Sequence, residues 1–228
     1  MKYPQDYINK VINNDCLKVM KQMPDNCVDL VVTDPPYSQD SHGGGGGFGI
    51  RMRDYHKGVD SLGNGFDNVI LSELVRVCKK VNAYIFCSNK QILQILTFFR
   101  DYNYEVLTYH KTNPTPTCNN KYLSDTEYII YIREKGVKLY GTYETKKKYF
   151  IQENGKNKLK HPTVKPLNII ETLILNSSLE GDIVLDCFLG SGTTAVACQR
   201  LKRDFVGIEI SNDYAEIAKE RLRQQLLF

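Results

Sequence analysis

Asp34-Pro35-Pro36-Tyr37 gathers in four residues the groups that could act on a planar ring bearing an amino group. Asp34 offers an ionised carboxylate, the two prolines offer carbonyls with no N–H of their own, and Tyr37 offers a flat aromatic face. A second cluster runs from Asp186 through Cys187, Phe188, Leu189, Gly190, Ser191 and Gly192 to Thr193. Its glycines let a ligand approach unpaired backbone N–H groups at a helix start, a seat for a carboxylate or phosphate. Glu209 follows Gly190 by 19 residues, close to the spacing at which an acidic residue ending the next strand holds the hydroxyls of a ribose. The third glycine of a dinucleotide fingerprint is replaced by Ala195, and no phosphate-binding lysine follows the turn. The pattern therefore favours a nucleoside with a small charged tail over a dinucleotide or a triphosphate.

These groups need strands to hold them. Leu30-Val31-Val32 is a short apolar run stopped by two prolines, which predicts a buried parallel strand with Asp34 at its carboxyl end. In open α/β sheets that end is where ligands bind. Lys10 to Asn13 reads as a strand, and Asp15 sits where the N-cap of a helix from Cys16 to about Met23 belongs. Phe66 to Lys80 and Gln91 to Arg100 carry helical periodicity, whereas Ala83 to Cys87, Val106 to His110 and Thr126 to Arg133 read as strands, the last antiparallel to its predecessor. Leu167 to Ser178 reads as a helix, Ile183 to Asp186 and Phe205 to Ile210 as strands, and Asn212 as the cap of a final helix. The alternation predicts an α/β fold with a doubly wound, mostly parallel, seven-stranded sheet containing one antiparallel strand.

The 228 residues suffice for one domain spanning 1–228 with a single buried core. Their apolar runs are too short to cross a membrane, and residues 1–10 lack a signal-peptide core, so a soluble cytoplasmic protein is expected. Seven cysteines without a C-x-x-C pair suggest reduced core residues, and neither they nor the four histidines show metal-ligand spacing, so no metal is expected. Residues 38–65, with glycine at every position from 43 to 47, read as a flexible loop beside Asp34.

Charge is concentrated. From Arg133 to Lys160 nine Lys and Arg face three Glu, a balance of +6 that leaves the remainder of the chain at −2. Within it Lys146, Lys147, Lys148, Lys156 and Lys158 are interleaved with Tyr140, Tyr143, Tyr149 and Phe150, a combination that suits phosphates and stacked bases. Lys111 and Asn113 lie in a polar, proline-fixed loop on the same presumed edge.

Taken together, these stretches resemble the β-class of S-adenosylmethionine-dependent DNA amino methyltransferases, in which the Asp-Pro-Pro-Tyr half precedes the cofactor half. The likeness rests on Asp34 to Tyr37, on His161-Pro162-Thr163-Val164-Lys165-Pro166 as connector, and on Asp186 to Thr193 as cofactor turn. Tyr109 to Asn113 and Glu127 to Ile129 resemble the family's later strands. The resemblance implies a Rossmann-like methyltransferase fold in circularly permuted order, with the strand at Val11 to Asn13 completing the cofactor half. It assigns Asp34, Pro35, Pro36 and Tyr37 to catalysis. Cofactor contacts are expected from Asp15, His161, Lys165, Asp186, Phe188, Gly190, Ser191, Gly192, Thr193, Glu209 and Asn212, with Lys165 approaching the methionine moiety.

The partner implied is double-stranded DNA, contacted by Lys111, Asn113, Lys146, Lys147, Lys148, Lys156 and Lys158, with residues 134–160 as a short recognition insertion and a homodimer as the family-based assembly. An initial Asp in the four-residue motif accompanies adenine N6 more often than cytosine N4, which stands as the alternative. A silent nucleic-acid binder retaining the fold is the reading from another class.

Overall fold

The computed structural model describes residues 1–37, 66–114, 116, 120, 122–153 and 164–225. Segment 38–65, His161, Lys156, Lys158 and Cys118 therefore lie outside the described residues.

The chain opens with β1 (Lys10–Asn13), α1 (Cys16–Met20), β2 (Leu30–Thr33), α2 (Asn68–Val77), β3 (Asn82–Cys87) and α3 (Ile92–Phe98). It continues through β4 (Asn103–Lys111), β5 (Thr126–Arg133) and β6 (Tyr149–Gln152). The last part alternates regularly as α4 (Leu167–Ser177), β7 (Ile183–Asp186), α5 (Thr193–Arg200), β8 (Asp204–Glu209) and α6 (Asn212–Gln225).

One sheet of eight strands runs in the order β1-β8-β7-β2-β3-β5-β4-β6. Every neighbouring pair is parallel except the two made by β5, which lies antiparallel between β3 and β4. Parallel strands covered on both faces must be apolar throughout, and every residue of β2 and β3 is buried. Leu30 and Val32 face the core shared with α4, α5 and α6, while Val31 faces the one shared with α1, α2 and α3. Three helices thus cover each face.

The expected seven strands become eight among the described residues. The extra strand, β6, lies inside the basic segment, pairs with β4 from Thr108–Tyr149 to Lys111–Gln152, and forms the sheet's edge. Its Tyr149 and Ile151 are exposed, so the strand lacks the apolar continuity by which the others are recognised. The strand at residues 10–13 does complete the other edge, pairing parallel to β8 with Asn13 opposite Glu209. Asn212 is not the cap of α6 but its first residue. Ser211 takes the cap position, its Oγ accepting from Tyr214 N at 3.5 Å.

The six cysteines among the described residues are free and buried. Burial pushes the Cys16, Cys78 and Cys87 thiols up to about 12. Among the described residues no helix is long and apolar enough to cross a membrane, and no group of three or more His, Cys, Asp or Glu could hold a metal ion.

Candidate active site

The carboxyl ends of four adjacent parallel strands, β1, β8, β7 and β2, deliver Asp15, Glu209, the Asp186–Thr193 turn and Asp34 to one edge of the sheet. A parallel sheet produces this convergence by direction alone, since every strand ends on the same side.

The turn after β7 is held from three directions. Gly190 and Gly192 have φ of 54° and 86°. At Gly192 a side chain would also meet α6, because a Cβ there would lie 2.7 Å from the Ala218 Cβ. Arg221, from the same helix, donates to Ser191 O at 2.6 Å, Ser191 Oγ at 3.1 Å and Thr193 Oγ1 at 3.2 Å. From below, Asp186 Oδ1 accepts from Phe188 N at 3.1 Å and from Thr33 Oγ1 at 3.0 Å. Burial pushes the Asp186 carboxyl up to about 7, against the Thr194 and Thr33 hydroxyls and the Phe188 N–H, which favour its charge. Asp186, expected to touch a cofactor, is buried beneath the turn and its hydrogen bonds shape that turn.

Glu209 closes the turn at the side. Its Oε2 accepts from Gly190 N at 2.7 Å and its Oε1 from Ser211 N at 2.8 Å. Burial raises its carboxyl pKa, and the Ser211 and Gly190 N–H groups oppose that rise. Each oxygen keeps a further lone pair, so two hydroxyls of a ribose could still be accepted. On the neighbouring strand, Asp15 caps α1 by accepting from Lys18 N at 2.9 Å and stays half-exposed. Asn13 Nδ2 donates to Glu209 O at 2.9 Å, locking the two strand ends together.

The catalytic loop is fixed with equal care. Pro36 O accepts from Gln91 Nε2 at 3.0 Å, which leaves Pro35 O as the proline carbonyl of the loop without a hydrogen bond among the described residues. Lys165 Nζ lies 2.6 Å from Asp34 Oδ2 and 3.1 Å from Glu127 Oε2, and is 5.2 Å from the Tyr37 ring centroid and 5.4 Å from that of Phe86. Glu127 Oε1 meets Lys111 Nζ at 2.6 Å, while Tyr37 OH donates to Glu127 Oε2 at 3.4 Å. Two carboxylates and two ammonium groups therefore alternate as Asp34, Lys165, Glu127 and Lys111, a mutually neutralising, partly buried chain. Burial raises the Asp34 carboxyl pKa, Lys165 opposes it, and Glu127 adds to it. Glu127 is also disfavoured as an anion by burial, but Lys165 and Lys111 outweigh this and hold it below the usual range. Burial works against the Lys165 charge as well, and the two carboxylates reverse the effect.

Lys165, expected to approach the methionine part of a cofactor, has its ammonium paired with the catalytic loop. Lys111, expected on DNA, is a largely buried partner of Glu127. Lys146, Lys147 and Lys148 are exposed, the latter two pairing with Glu144 and Glu105, and Asn113 is exposed as well. Thr33, Gln91, Glu127 and Arg221 were missed as site residues. Of these, only Glu127 had a signal, as an acidic residue heading an otherwise apolar strand and lying opposite Tyr109.

An acceptor loop beside a glycine turn, on adjoining ends of a parallel sheet, defines a group-transfer site in which a ring amino group can meet a nucleoside-borne donor. A family model described as DNA methylase matches residues 28–220. The type II methyltransferase M2.LlaDCHI of Lactococcus lactis subsp. cremoris is 31% identical over 240 residues, covering 94% of this chain and 89% of the relative. M2.DpnII of Streptococcus pneumoniae, also a type II methyltransferase, is 30% identical over 249 residues, covering 96% and 92%. The crystal structure of an M1.HpyAVI–SAM complex matches with a TM-score of 0.67 at 26% identity, over 93% of this chain and 98% of the other. The chain belongs to the DNA methylase family. The resemblance to DNA amino methyltransferases drawn from its motifs is thereby borne out.

Proposed function

We propose that this chain transfers the methyl group of S-adenosylmethionine to the exocyclic N6 of an adenine flipped out of duplex DNA. One observation carries the reading: Thr33 Oγ1 and Asp186 Oδ1, 3.0 Å apart, join the strand that ends in Asp34 to the strand that ends in the glycine turn. Acceptor loop and nucleoside turn are thus neighbours by construction.

A base amino nitrogen is a poor nucleophile because its lone pair is delocalised into the ring. Hydrogen bonds from that amino group to the Asp34 carboxylate and Pro35 O localise the pair on nitrogen, and stacking on Tyr37 fixes the ring. The base must leave the duplex to reach this loop. When bound, S-adenosylmethionine supplies an electrophilic methyl on a sulfonium. The residues that would hold it are Glu209 and Asp15, with Phe188, Gly190, Ser191, Gly192 and Thr193. The fit is supported by the lone pairs left on the Glu209 oxygens. The chain order, with Asp34 ahead of the turn, supports the permuted β-class reading, and the initial Asp favours adenine over cytosine. Exposed Lys146, Lys147 and Lys148 at the sheet edge formed by β6 are the described candidates for phosphate contact.

The test is direct. The protein is incubated with S-adenosylmethionine and mixed-sequence duplex DNA, the DNA is digested to nucleosides, and the methylated nucleoside is identified by mass spectrometry. N6-methyladenine is the expected product. N4-methylcytosine would overturn the choice of base, and cofactor binding without any methylated nucleoside would overturn the activity.

A further inference from the structure

The acceptor that the reaction needs is already engaged. Asp34 Oδ2 holds the Lys165 ammonium at 2.6 Å, while Oδ1 is buried and has no hydrogen-bond partner. Oδ1 is closed to solvent whereas the Asp34 side chain as a whole is not, so an arriving base amino group meets the carboxylate at Oδ2, where the Lys165 ammonium already donates. Lys165 has a second seat within reach, because Glu127 Oε2 is 3.1 Å from its Nζ. Glu127 keeps its own place through Lys111 on Oε1 at 2.6 Å and through β5, whose Glu127 pairs with Tyr109 of β4.

We infer that Lys165 stands in for the substrate amino group at Asp34 in the resting protein, and that Glu127 is the positioning residue that receives Lys165 when the base arrives. The exchange keeps one cation between two carboxylates throughout, so no charge is left buried without a partner. It also sets the Lys165 charge against burial and the Glu127 charge, both of which raise the Asp34 carboxyl pKa. A base that cannot donate to Asp34 gains nothing to offset the displacement, so the exchange discriminates for amino-bearing bases. This inference rests on the proposed role of Asp34 as amino-group acceptor.

The experiment is a double-mutant cycle between E127Q and K165M. It is read as the single-turnover methylation rate and the DNA concentration dependence on mixed-sequence duplex, with D34A as a separate control. Thermal melting and S-adenosylmethionine calorimetry establish that each variant is folded and binds cofactor. Gln keeps an acceptor for Lys111 but weakens the second seat, so E127Q is expected to slow single turnover roughly tenfold and to raise the DNA concentration needed for half-maximal rate. In the K165M background, where there is no ammonium to receive, the same change is expected to cost no more than about twofold. K165M alone should retain measurable methylation. Equal E127Q costs in both backgrounds, no E127Q cost at all, or complete inactivity of folded, cofactor-binding K165M would each overturn the exchange. Full turnover by D34A would overturn the catalytic reading itself, a failure distinct from the other three.

Discussion

Thr33 Oγ1 donates to Asp186 Oδ1 at 3.0 Å across 153 residues of sequence, between the last residues of β2 and β7. The catalytic loop begins at the next residue of one strand, and the glycine turn follows the other. Replacing Thr33 with Val preserves shape and removes the hydroxyl. The loss of a buried hydrogen bond to a carboxyl is expected to cost about 1–3 kcal/mol in urea denaturation, with a slower methylation rate than the fold loss alone explains. Unchanged stability and rate would show that the two loops are positioned independently.

Asp34→Ala should lower single-turnover methylation by a factor of about 100 or more while leaving S-adenosylmethionine affinity, measured by calorimetry, nearly unchanged. The acid limb of the wild-type rate should lie above the ordinary carboxylate range, because burial raises the Asp34 pKa and only the charged form accepts both ways. Lys165 opposes that rise, so the limb should move further up in K165M.

Asp186 gives a pH dependence of stability with a defined sign. Its pKa rises from 3.8 to about 7 in the fold, so the folded protein prefers the protonated carboxyl. The stabilisation is complete below about pH 4 and is lost as pH rises towards 7. Asp186→Asn cannot ionise. Relative to wild type it should gain roughly 2–4 kcal/mol between pH 4 and pH 8, compared by urea denaturation at both values. A constant difference between the two proteins would mean that Asp186 is ionised throughout.

Gly192→Ala combines a φ of 86° with a Cβ placed 2.7 Å from the Ala218 Cβ. A loss of about 1–3 kcal/mol by thermal melting and weaker cofactor binding are expected. Gly181, also at positive φ but with nothing near its missing Cβ, serves as the control for strain without collision.

Charge reversal at Lys146, Lys147 and Lys148 should weaken DNA binding and flatten the plot of log affinity against log salt by about one unit for each phosphate no longer neutralised. Cofactor affinity should stay constant. An unaltered salt slope would move the DNA surface elsewhere.

The fold was legible where strands are buried on both faces. Leu30–Thr33, Asn82–Cys87 and Ile183–Asp186 announce themselves by their apolar runs, and the prolines after the first and the glycines after the last mark the functional edge. Tyr149–Gln152 was not legible, since an edge strand needs only one apolar face and this one sits among lysines. The carboxylates of the site were visible because strand ends carry their own punctuation. Their counter-ions were not. Whether Lys165 faces a cofactor, a phosphate or Asp34 depends on contacts between residues 131 apart, and Lys111 and Glu127 meet only once β4 and β5 pair. Arg221 reaches Ser191 from a helix whose sequence shows only amphipathic spacing.

The six cysteines among the described residues are free and spread over both halves of the sheet, on α1, before and after α2, on β3, after β7 and on α5, and all are buried. A buried thiol held at high pKa offers almost no thiolate, the form that alkylating reagents attack. Their labelling rates therefore report how often each part of the molecule opens. Cys187, against Thr33 Oγ1 at 3.4 Å, is the timer for the junction between catalytic loop and glycine turn, and Cys78 is the timer for the helix-covered region behind it. Ligand that orders the junction should slow the first clock and leave the second running at its former pace.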